Sequence, residues 1–98
     1  MASAIWIACT NPAQSLPDQN LVHEALRAAE CVVLQEAYAD TETVPFADVL
    51  LPAATWGEQD GTMTNSERRI SRVRAAVPPP GEARDDVALA VTEACVQR

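Results

Sequence analysis

Four side chains of this 98-residue chain, Asn11, Gln35, Glu36 and Gln59, have the types and positions that nucleotide recognition calls for. The amide of Asn11 donates and accepts at once, and it follows directly on the apolar run Ala4–Cys9. Gln35 and Glu36 close the run Cys31–Leu34 and can accept from ribose hydroxyls or from the N–H edge of guanine. A carboxylate facing guanine's paired donors makes a strong bidentate contact. Gln59, beyond the run ending at Leu51, can reach a phosphate or a hydroxyl. In open parallel sheets ligands bind outside the carboxyl ends of the strands, where successive loops converge. The loops after Cys9, Leu34 and Leu51 are therefore the places to look. The competing reading of Asn11 and Glu36, and of Asp86 near the C-terminus, is as turn and capping residues.

The elements that must position these residues follow from pattern. Ala4–Cys9 reads as a buried strand that ends at the turn-prone Thr10-Asn11-Pro12. A helix is expected from Asp18, capped by Asp18 or Asn20, with Leu21, Val22, Ala25, Leu26 and Ala29 at helical spacing and His23, Glu24 and Arg27 on a solvated face. Cys31–Leu34 is a second strand, and Asp48–Leu51 a third, stopped by Pro52. Thr41 is a candidate cap for a short turn reaching Phe46. Strand, helix and strand in alternation predict a parallel sheet with right-handed crossovers. In residues 66–77, Ile70, Val73 and Val77 fit a helical stripe capped by Asn65. Pro78–Gly81 is a stiff spacer before a last helix capped by Asp85 or Asp86. Val87, Leu89, Ala90, Val91 and Ala94 crowd that helix, so it needs cover on more than one side, and self-association of the isolated chain is expected.

Composition narrows the chemistry. Seven basic against fourteen acidic residues leave a net charge of −7, which disfavours nucleic acid and anionic membranes. All seven basic residues are arginine, and Arg68, Arg69, Arg72 and Arg74 cluster; ion pairing with nearby carboxylates is the favoured reading. Cys9, Cys31 and Cys95 are far apart and lack metal-ligand spacing, so no metal site is expected, and reduced thiols fit a cytosolic protein. No apolar run nears the length of a membrane span and no signal peptide is legible, so a cytoplasmic location is the expectation. Gly57, Gly61 and Gly81 form neither a dinucleotide fingerprint nor a P-loop, and the single histidine has no partners for a triad.

Two dense motifs sit back to back: Phe46-Ala-Asp-Val-Leu-Leu-Pro52 and Glu58-Gln-Asp-Gly-Thr-Met-Thr-Asn-Ser-Glu-Arg-Arg69. With Thr10-Asn-Pro-Ala-Gln-Ser-Leu-Pro17, Val32-Val-Leu-Gln-Glu36 and Pro80-Gly-Glu-Ala-Arg84 followed by Asp85 and Asp86, nearly the whole chain resembles the molybdopterin oxidoreductases, and within them the catalytic subunit of assimilatory nitrate reductases. The resemblance implies a piece of a much longer enzyme, and it implies an extended course for residues 66–77, which we take over the helical one. It implies that the piece helps hold a molybdopterin guanine dinucleotide, while the molybdenum and iron–sulfur ligands lie elsewhere. By motif, the contacts fall on Asn11, Gln35, Glu36, Gln59 and Asp86. Relatives commonly carry lysine where Gln59 stands, and some carry Ser-Asp in place of Gln35-Glu36.

The expectation is thus one α/β domain over residues 1–98, a small Rossmann-like parallel sheet flanked by helices, with Asn11, Glu36 and Asp86 on one rim. Its partners would be the remaining domains of the parent enzyme, which reduces nitrate. A formate dehydrogenase of the same family is the alternative, and a free-standing acidic α/β interaction module without cofactor is the rival from another class.

Overall fold

A computed structural model describes residues 4–96. They fall into two compact units, the first ending at Pro52 and the second beginning at Ala53.

The first unit is built on a three-stranded parallel sheet of β1 (Ala4–Ile7), β2 (Cys31–Glu36) and β3 (Val49–Pro52), with β2 in the middle. In register, Ile7 lies beside Leu34, and Glu36 beside Pro52. Since side chains alternate across a strand, Ile5, Ile7, Val32 and Leu34 share one face. Helix α2 (Gln19–Ala28) covers that face with Val22 and Leu26, joined by Ala13, Ala29 and Phe46. Leu34 is fully buried at the centre. This is the expected α/β arrangement.

Several local expectations are corrected. β1 is shorter than Ala4–Cys9, and it is an edge strand rather than a buried one: Trp6, on the opposite face from Ile5 and Ile7, is 44% exposed. Pro52 is the last residue of β3 rather than its stop, which an edge strand tolerates because it pairs on one side only. Asp48 lies outside β3 and does different work. Its N–H donates to the Val32 carbonyl at 2.9 Å, and its Oδ2 accepts the Val32 N–H at 2.7 Å. The apolar stripe of α2 is narrower than expected, because Leu21 and Ala25 are exposed. His23 is half-buried against Phe46, with ring centroids 5.0 Å apart, and the Arg27 guanidinium lies 5.5 Å from the centre of the same ring. The helix start is as expected: Asp18 caps α2, its Oδ1 accepting the Leu21 N–H at 3.4 Å.

In the second unit, Thr55 and Glu58 form a capping box around the 3-10 turn Trp56–Glu58. Strands β4 (Gly61–Thr64) and β5 (Ile70–Val73) pair as an antiparallel hairpin, so the arginine segment is extended. Asn65 serves the hairpin turn rather than a helix. Its Oδ1 accepts from the Glu67 and Arg69 N–H groups, each at 3.0 Å, while Arg68 takes a left-handed φ of 64°. Helix α3 (Asp86–Val96) opens after Asp85, whose carbonyl accepts the Leu89 N–H at 2.9 Å. Leu89 is buried, but Val87 and Val91 of the same helix are exposed.

Candidate functional site

At the carboxyl edge of the parallel sheet, the loops after β1 and β2 bring together Asn11, Thr41, Glu42 and Thr43, with Glu36 ending β2. The loop after β1 runs into a single-turn helix, α1 (Pro12–Ser15), where the sequence had suggested only a turn. Pro12 suits its first position because that residue needs no N–H partner. Asn11 precedes it, and the Asn11 backbone carbonyl accepts from the N–H groups of Gln14 and Ser15 at 3.1 and 2.9 Å. The Asn11 side chain does not cap that helix. Its Oδ1 accepts the Thr43 hydroxyl at 2.5 Å, and its Nδ2 donates to Glu42 Oε2 at 2.6 Å. The bland reading of Asn11 as a helix cap is therefore not what its side chain does.

Thr43 is fully buried, and its Oγ1 also accepts the Ala13 N–H at 3.1 Å. Glu42 is exposed. The Asn11 amide, followed by Glu42's own backbone N–H, holds its carboxyl below the ordinary 4.5 by favouring the charged form. Thr41, expected as a cap for the turn to Phe46, is not one: Thr43 immediately precedes the 3-10 turn Val44–Phe46, and Thr41 Oγ1 is buried without a hydrogen-bond partner. A buried polar atom of this kind is costly to leave unmade.

Glu36 is half-buried, and its Oε1 accepts the Ala37 N–H at 2.9 Å and the Tyr38 N–H at 3.4 Å. Its Oε2 takes no part in those bonds. Gln35 faces the other side of the sheet and is only 3% exposed; its Oε1 accepts the Trp6 indole N–H at 2.7 Å. In the second unit, Gln59 is half-buried and donates from Nε2 to the Ala54 carbonyl at 2.6 Å. Asp86 is the first residue of α3 and half-buried. A shallow cavity of about 300 Å³ lies in this unit, lined by Glu58, Asp60, Arg84 and Asp85 among others. Arg72 pairs with Asp60 at 3.8 Å, and both side chains are mostly exposed, so the pair adds little stability.

The structure thus brings Asn11 and Glu36 to one sheet edge, and Gln59 and Asp86 belong to the other unit. Sequence reasoning missed Glu42 and Thr43. The signal available was the polar triplet Thr41-Glu42-Thr43 in a loop leaving the central strand. Among the described residues, no group of three or more His, Cys, Asp or Glu side chains is placed to hold a metal ion, and no helix is long and apolar enough to cross a membrane.

A family model described as molybdopterin oxidoreductase matches residues 1–91. A nitrate reductase of Klebsiella oxytoca is 57% identical over 83 residues, covering 85% of this chain and 10% of that protein. An assimilatory nitrate reductase of Haloferax mediterranei is 47% identical over 85 residues, covering 87% of this chain and 12% of that protein. An F420-dependent formate dehydrogenase subunit alpha of Methanocaldococcus jannaschii is 49% identical over 82 residues, covering 84% of this chain and 12% of that protein. The chain therefore spans about a tenth of the length of the relatives it matches, and it belongs to the molybdopterin oxidoreductase family.

Proposed function

We propose that this chain is the part of a nitrate reductase that grips the nucleotide end of a molybdopterin guanine dinucleotide. The observation that carries the reading is the sheet edge itself. Glu36 ends β2, and Asn11 and the unpartnered hydroxyl of Thr41 lie on the loops leaving the carboxyl ends of the neighbouring parallel strands β1 and β2. The donor set fits a nucleotide. Glu36 offers an acceptor to guanine or ribose donors, Asn11 Nδ2 offers a donor to an oxygen, and a ligand oxygen or N–H would satisfy Thr41 Oγ1. The same reading assigns Gln59 and Asp86 to the cofactor. Gln35, buried and bonded to Trp6, enters it by supporting the β2 end rather than by direct contact.

When bound, the cofactor's molybdenum end supplies two-electron oxygen-atom transfer, which takes nitrate to nitrite and water with two electrons and two protons. The residues of this chain bind and orient. Fixing the remote nucleotide end holds the reactive end in place, so the contacts act through positioning. Identity to nitrate reductases at 57% and 47% favours that reaction, and identity at 49% to a formate dehydrogenase subunit supports formate oxidation as the second reading. The enzyme would work in the cytoplasm, with its remaining domains as this segment's partners. A titration of the chain with guanosine diphosphate, followed by amide NMR, tests the grip. Shifts confined to Asn11, Glu36, Thr41, Gln59, Asp86 and their neighbours are expected, and an unchanged spectrum refutes it.

A further inference from the structure

The Asn11 amide has two inequivalent ends, and its own chemistry does not decide which one faces outward. Thr43 decides it. The Thr43 oxygen accepts the Ala13 N–H at 3.1 Å, so the hydroxyl is tied to the first turn of α1. A hydroxyl carries a single donor, and this one is given to Asn11 at 2.5 Å. The atom that faces Thr43 must then be the acceptor Oδ1, which turns the Nδ2 group away. That group meets the carboxylate of the exposed Glu42 at 2.6 Å. Thr43 is fully buried, so water does not compete for its hydroxyl.

We propose that Thr43 is a positioning residue: it locks the Asn11 amide with its N–H donor presented at the sheet edge, where Glu42 holds that donor until a ligand oxygen takes its place. The ligand half of this statement rests on the nucleotide-binding reading above; the orientation half does not. Glu42 acts as a placeholder. A phosphate or carbonyl oxygen arriving at Asn11 must displace it, and an exposed side chain can swing away without disturbing the core. Only side chains with a buried hydroxyl can replace Thr43, which separates serine from valine.

The test is NMR on the 98-residue chain. In T43V the Glu42 carboxyl should titrate at a higher pH than in the unaltered protein, towards the ordinary glutamate value, and the shifts of the Asn11 side-chain amide should move. T43S should keep both signatures. An unmoved Glu42 midpoint and Asn11 amide in a folded T43V overturn the proposal. Should T43V fail to fold, the unaltered protein still decides: a slowly exchanging Thr43 hydroxyl proton close to Asn11 is expected, and its absence overturns the assignment. Guanosine diphosphate separates the two readings. If it moves the Asn11 amide equally in T43V and the unaltered chain, positioning by Thr43 is wrong and the nucleotide site stands. If it moves nothing while T43V still shifts Glu42, the positioning stands and the nucleotide site falls.

Discussion

Glu36→Gln separates the charge of this side chain from its local structural work. Glu36 Oε1 accepts the Ala37 N–H at 2.9 Å, and the contact to the Tyr38 N–H at 3.4 Å is long enough to be weak. Glutamine keeps an oxygen for Ala37, so the turn survives. Alanine would lose it, adding a structural cost of about 0.5–1.5 kcal/mol. Towards a nucleotide, glutamine replaces a carboxylate by an amide and removes one charge-assisted bond, a loss of about 1.5–3 kcal/mol. That corresponds to roughly ten- to a hundred-fold in affinity. A cofactor held by many such bonds tolerates one loss, so Glu36→Gln alone should lower cofactor retention in part, and the double variant with Asp86→Asn further. The assay is molybdenum per polypeptide in the purified full-length enzyme, with thermal unfolding measured beside it to show that the fold is intact. Full molybdenum content and unchanged turnover in the double variant would exclude both carboxylates from the cofactor's grip and leave them as turn and helix-start residues.

Other outcomes follow from the same geometry. Leu34→Ala empties the centre of the sheet's packed face and should cost about 2–5 kcal/mol, read as a lower urea midpoint with an unchanged slope. Glu42 titrates below the ordinary 4.5 when folded, so its bond to Asn11 stabilises the protein above about that pH and is lost as the pH falls through the lowered folded-state value. Glu42→Gln should therefore flatten the acid limb of the stability curve, and identical acid limbs would exclude the bond. Exposed Trp6, Trp56, Val87 and Val91 should make the isolated chain associate, seen as a sedimentation coefficient that falls on dilution.

The parts of the fold legible in sequence were those with strong local pattern. The apolar run Cys31–Leu34 and the Asp18 cap located β2 and α2, because a buried central strand and an amphipathic helix each impose a period on the chain. Where tertiary contacts decide, the pattern carried no signal. One turn of helix at Pro12–Ser15 has almost no intrinsic stability and is held partly by Thr43, which is distant in sequence. The hairpin β4–β5 lacks an Asn-Gly or Asp-Gly turn and relies on Asn65 and a left-handed Arg68, a conformation that an arginine does not announce. Gln35 illustrates the remaining gap. Its type suited a ligand, but strand alternation put it on the buried side, where the Trp6 indole takes its oxygen. Asn11 and Glu36 lie at the sheet edge where the carboxyl-edge rule puts them, because that rule depends on topology alone and the parallel order was legible.

The most direct measurement is a crystal structure of the full-length enzyme with its cofactor bound. The guanine nucleotide should lie at the carboxyl edge of β1 and β2, with a Glu36 carboxylate oxygen and Asn11 Nδ2 within hydrogen-bond distance of it, and with Glu42 released from Asn11. A nucleotide bound elsewhere, with Asn11 still bonded to Glu42 and Glu36 touching only Ala37 and Tyr38, would contradict it.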